Sequence, residues 1–310
     1  MPDYKRYLGP KFIKKLKGDY SFLLQCSKKK EGGYKYDVQL RPNNEIMIYY
    51  GGTCLLTVGC DELTGDINFS SKSYASKASS FSLISPSSPL NKIKKACNNF
   101  LNEAASTVTP TWNKPGSEGY CEQRISRLWG GPAWQESMDI LVIDRQAVIS
   151  FDSDLQKTKF YKGIKRKYLS KVADLRYQEG WKEKNTFGDE LDLLAIGPDG
   201  ELLCIELKTG KTDKGFYYAP FQAAAYCEAF KSASPDISND IKTLVKQKIT
   251  LGLLPSTAAK RLKEGSFKVK SLLLIMHSEK LSLESDVWPR LNDVAKSINK
   301  SFRPLIRAIP

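Results

Sequence analysis

The sequence predicts an α/β protein in which a small β-rich N-terminal module with a Ser-rich connection, residues 1–89, precedes a larger domain, residues 90–310, built on a mixed sheet flanked by helices. Three observations carry this reading. Short strand-like segments separated by turn signals fill the region from Tyr20 to Val58, helical periodicity alternates with strand-like runs after residue 90, and the stretch GDELDLLAIGPDGELLCIELKTG at 188–210 has the pattern of two strands and a tight turn.

In the N-terminal module, YSFLLQC, YKYDVQL, EIMIYY and TCLLTVG are punctuated by KEGG, RPNN and GG, which predicts an antiparallel meander. The Ser-rich segment 70–90 reads as a loop or interdomain connection. Beyond it, Leu90, Ile93, Cys97, Phe100, Leu101 and Ala104 recur at helical spacing, and a second short helix is predicted over 119–129. DILVIDRQAVISF at 139–151 reads as strand, and 155–175 as helix, with Phe160, Ile164, Tyr168 and Val172 at every fourth position. After the two strands about GPDG, a helix is predicted over 219–232, a helical region broken at Gly252 and Pro255 over 237–264, a strand over 267–277 and a last helix near 284–300.

Composition narrows the function. A chain of 310 residues with 41% hydrophobic content can bury a core, while its longest apolar runs, such as SLLLIMH, are too short to cross a bilayer. MPDYKRYLGPKF lacks the apolar region of a secretory signal, so a soluble cytoplasmic protein without a membrane partner is expected. Seven cysteines with no CxxC pair argue against a disulfide framework and against a zinc ribbon. The sole histidine, His277, excludes zinc sites that need two histidines and any Ser-His-Asp triad not built on it. The balance of 48 basic against 34 acidic residues, a net +14, suits a polyanionic partner.

The hairpin raises the sharpest question, because Asp192, Glu206 and Lys208 lie in an apolar run where unpaired charges are costly. GPDG suits a three-residue loop, with a type I turn and a left-handed Gly200. Placing Gly197 opposite Glu201 brings Asp192 opposite Glu206 on one sheet face, and alternation puts Lys208 there as well. Two carboxylates that close repel each other unless a cation lies between them, and their hard oxygens select Mg²⁺ or Mn²⁺, with the Leu207 carbonyl available as a third ligand.

These residues resemble the PD-(D/E)xK nuclease superfamily: Asp192, thirteen intervening residues, then Glu206-Leu207-Lys208, with Leu191 where the family has Pro. The following FYYAPFQAAAYCEAF holds Gln222 and Tyr226, one helical turn apart, which is similar to the Q-x-x-x-Y motif of the RecB-like and lambda-exonuclease-like branch. The resemblance implies a restriction-endonuclease-like core and hydrolysis of phosphodiester bonds, most readily in DNA. Asp192 and Glu206 would hold the metal, Lys208 would orient water or stabilise charge on the phosphate, and Gln222 and Tyr226 would position substrate or Lys208. It also implies an acidic ligand from the first core helix, for which Glu122 is preferred over Asp154 and Glu179. Some RecB-like nucleases hold an iron-sulfur cluster through cysteines after the core, but no cysteine follows Cys227 here, so no cluster is expected.

KTKFYKGIKRKYLSK at 157–171 carries Lys157, Lys159, Lys162, Lys165, Arg166, Lys167 and Lys171 with no acid, a candidate track for a phosphate backbone. A catalytically silent nucleic-acid-binding or scaffold protein that retains the fold is the alternative reading. A carboxylate pair that repels a phosphate ligand has no use in such a module.

Overall fold

The computed structural model describes every residue except 29–34, 77, 113–115, 176–186, 210–217, 277–286 and 310. Its elements in chain order are α1 (Pro10–Lys17), α2 (Ser21–Gln25), β1 (Asp37–Arg41), β2 (Glu45–Tyr50), β3 (Thr53–Cys60), β4 (Ile67–Ser70), α3 (Leu90–Trp112), α4 (Glu118–Gly130), β5 (Leu141–Ala147), α5 (Asp154–Leu175), β6 (Leu191–Ile196), β7 (Leu202–Thr209), α6 (Ala219–Thr250), β8 (Val269–Met276), α7 (Val287–Lys296) and β9 (Leu305–Ile309). They divide into two compact units. A four-stranded unit takes residues 5–138 and 240–259, and a five-stranded unit takes residues 1–4, 139–239 and 260–310. The segment 70–90, read from composition as a connection, lies inside the four-stranded unit.

In the four-stranded unit, β1 to β4 form an antiparallel meander in sequential order, as RPNN and GG predict. YSFLLQC is not one of its strands. It forms the short helix α2, in which Phe22, Leu23 and Leu24 are all buried, and a strand with one wet face would bury only every second residue. The unit also holds a buried polar cluster. The Asp37 carboxylate on β1 receives Gln39 Nε2 at 2.8 Å, Ser126 Oγ at 3.2 Å and Arg127 Nη1 at 3.4 Å, while Lys248 Nζ donates to Gln39 Oε1 at 2.6 Å. These bonds tie α4 and the end of α6 to one strand, and each satisfies a group whose burial alone would be costly.

The five-stranded unit has the order β5-β6-β7-β8-β9, antiparallel from β5 to β7 and parallel from β7 to β9. This is the mixed sheet flanked by helices that the sequence predicts. Two of its features differ from expectation. α6 runs unbroken from Ala219 to Thr250 through Pro235, where the sequence suggests a break between two helices. Around that proline, Ser234 Oγ donates to the Phe267 carbonyl at 2.8 Å and the Phe267 amide donates to Ser238 Oγ at 3.1 Å, so side chains anchor the helix where its own ladder loses a donor. The short edge strand β9 lies beyond the last predicted helix. Its exposed Leu305 and Arg307 leave little apolar alternation to read. All seven cysteines are unlinked; six are buried, and Cys26 is half-buried.

Candidate metal centre on the β6–β7 hairpin

The hairpin loop has the geometry its sequence dictates. The Gly200 amide donates to the Gly197 carbonyl at 3.1 Å, the Gly197 amide donates to the Glu201 carbonyl at 2.9 Å, and Gly200 adopts φ +77°, a left-handed conformation that strains any residue with a Cβ. From this turn the pairing runs Ile196↔Leu202, Ala195↔Leu203, Leu194↔Cys204 and Leu193↔Ile205. Asp192 and Glu206 are the next positions of that register. There a side chain continues the pairing, for Asp192 Oδ2 accepts the Leu207 amide at 2.7 Å.

Asp192 and Glu206 each offer a carboxylate oxygen to a group of acids that could hold a metal ion, and the two lie within 4.8 Å of one another. Glu206 is fully buried and Asp192 half-buried. Lys208 Nζ lies 2.5 Å from Glu206 Oε1, so one ammonium already answers one of the two charges. Parallel pairing sets Glu206 beside Leu273 and Lys208 beside Ile275, and these two β8 residues pack with Ala219 of α6 and Leu291 of α7. The charged tips therefore sit on the helix-covered face of the sheet.

Helix α6 brings the Q-x-x-x-Y pair to the same place. Gln222 Nε2 donates to the Tyr226 hydroxyl at 3.3 Å, and both residues are buried. Burial, followed by the negative charge of Glu206, holds the Tyr226 phenol well above the ordinary tyrosine range, so it remains a neutral donor. Gln222 Oε1 has no hydrogen-bond partner among the described residues.

Glu122 belongs to α4 of the four-stranded unit and is buried there, at 5% exposure. Asp154 opens α5 on the exposed surface, and Glu179 and His277 lie outside the described residues. The seven cations on α5 separate into two groups. Lys157 and Lys165 both pair with Asp189, Lys167 pairs with Glu228 at 2.7 Å, and Lys171 donates to the Ser297 carbonyl at 3.2 Å. Lys159, Lys162 and Arg166 are exposed and have no ion pair among the described residues.

No family model, curated protein or solved structure matches this chain.

Sequence reasoning passed over two acids of the five-stranded unit. Asp189 pairs with the two lysines of α5. Although its partial burial works the other way, the bonds from Lys157 and Lys165 hold its carboxyl below the usual aspartate range. Its place three residues before Asp192, after a glycine, gave no periodic signal. Asp144 is fully buried opposite Leu194, hence on the face of Asp192 and Glu206. Its oxygens accept the Tyr4 hydroxyl at 2.7 Å and the Arg145 amide at 2.8 Å. An acid inside VIDRQ reads as one polar step of an alternating strand, which is why it escaped notice.

Proposed function

We propose that this protein is a divalent-metal-dependent nuclease that hydrolyses phosphodiester bonds, with DNA as its substrate. One observation above all supports the reading: two carboxylates whose oxygens approach within 4.8 Å, beside an ammonium on the same strand, at the end of a hairpin whose turn fixes their register. All the donors are hard oxygens, which suits Mg²⁺ or Mn²⁺.

Asp192 and Glu206 would hold the ion. The Leu207 amide donates to Asp192, and because the N–H and C=O of one strand residue face the same edge, the Leu207 carbonyl would be available on that edge as a further ligand. An ion in this position would supply Lewis acidity at a phosphoryl oxygen and lower the pKa of a bound water. Lys208, held beside Glu206, would orient the attacking water or neutralise charge that develops on the phosphate. Tyr226 stays protonated and keeps a donor at the site, and Gln222 fixes its direction.

The experiment is an incubation of plasmid, linear duplex, single-stranded DNA and RNA with Mg²⁺, Mn²⁺ or chelator, with Asp192→Ala and Lys208→Ala beside the parent. The nuclease reading requires metal-dependent cleavage that both variants lose while binding persists. Binding to nucleic acid with no cleavage under any metal would leave the silent, binding-only reading.

A further inference from the structure

We infer that Lys159, Lys162 and Arg166 of α5 form the surface that grips the phosphate backbone of duplex nucleic acid, and that the other four cations of the same segment serve the fold. The inference takes its partner from the nuclease reading but does not depend on catalysis. Sequence alone cannot rank the seven, since all are Lys or Arg within fifteen residues. The ion pairs rank them. Asp189 neutralises Lys157 and Lys165, Glu228 neutralises Lys167 and also accepts the Tyr168 hydroxyl at 2.7 Å, and Lys171 is engaged by a backbone carbonyl. A cation already answered by a carboxylate releases few counterions when a phosphate arrives, so these contribute little to polyanion binding.

The three that remain are spaced i, i+3 and i+7, which sets them along one stripe of the helix. At about 1.5 Å of rise per residue they span about 10 Å, a length over which duplex DNA, with one charge per about 1.7 Å of axis, presents several phosphates. All three are exposed. Gly163 lies within the stripe, and a Cβ added there would meet nothing within 4 Å, so no packing demands this glycine and a side chain placed there would project into open space. The opposite side of the helix is spoken for: Tyr161, Tyr168 and Val172 are buried.

The test uses the full chain in chelator, where hydrolysis cannot interfere, with anisotropy of a fluorescent duplex measured between about 50 and 200 mM salt. A Lys159→Ala/Lys162→Ala/Arg166→Ala variant is expected to flatten the slope of log K against log salt by about 2.7, at about 0.9 per phosphate contact. Gly163→Glu, whose side chain enters free space, is expected to weaken binding without lowering the melting temperature. Lys157→Gln/Lys165→Gln is expected to change the slope by less than about one contact. If the triple variant and Gly163→Glu keep the parent's slope and affinity, or if the Lys157/Lys165 variant loses as much slope as the triple variant, the assignment is overturned. A parallel cleavage assay on the parent separates the two readings. Cleavage with unaltered slopes in the variants removes the stripe and keeps the nuclease, whereas flattened slopes without cleavage keep the stripe and remove the nuclease.

Discussion

At the scale of single residues, the centre depends on how a fully buried Glu206 coexists with Asp192 a few ångströms away. Lys208 answers one of the two charges, and a dication would answer the rest, so metal should stabilise the folded protein as well as activate it. Millimolar Mg²⁺ is expected to raise the melting temperature of the parent, and Asp192→Asn to abolish that rise; binding at about a hundred times Kd corresponds to about 2.7 kcal/mol. A calorimetric scan with and without the ion checks it. A second expectation concerns alkali. Burial raises the Tyr161, Tyr168 and Tyr226 phenols and the Cys204 thiol, and pushes the Cys97 and Cys227 thiols up to about 12 from 9.0. The native state thus keeps protons that the unfolded chain releases from about pH 9 upward. Stability should be level below that pH and fall as pH rises through the raised values, by up to about 1.4 kcal/mol per unit for each group. Urea midpoints between about pH 8 and 10.5 measure the decline.

At the scale of elements, the β6–β7 hairpin is where sequence and structure agree most closely. GPDG admits few turns, and with the turn set every pair down the ladder follows, so Asp192, Glu206 and Lys208 were legible from residues alone. Gly200 is the point on which that register rests. Gly200→Ala would force φ +77° on a residue with a Cβ and bring that Cβ to 2.8 Å from the Lys263 side chain. A loss of about 1–2 kcal/mol is expected from the urea midpoint. Other elements were not legible because their signals are not local. Phe22-Leu23-Leu24 suits a strand or a buried turn of helix equally, and only the surrounding packing decides. Pro235 argues for a helix end, yet the hydroxyls of Ser234 and Ser238 bond to Phe267, more than twenty-five residues later, and no pattern around the proline announces that. The roles of the α5 lysines were illegible for the same reason, since Asp189 and Glu228, which answer three of them, come from other segments.

At the scale of the whole molecule, the chain builds each unit from separated stretches, and α6 starts in one unit and finishes in the other. A Ser-rich segment looks like a boundary by composition, but composition cannot report that residues 5–138 share a unit with residues 240–259. The consequence can be tested by truncation. A fragment of residues 90–310 would keep α3 and α4 but lose all four strands of their unit, exposing Cys97, Phe100, Leu101 and Ala104. It is expected to be insoluble or aggregated on size exclusion, where the full chain elutes as a discrete species. The burial of six of the seven thiols has a practical outcome as well. A maleimide dye added to the native protein should attach at Cys26 alone, giving a fluorescent reporter on the wild-type chain that leaves the hairpin, the α5 stripe and every residue of the proposed chemistry untouched.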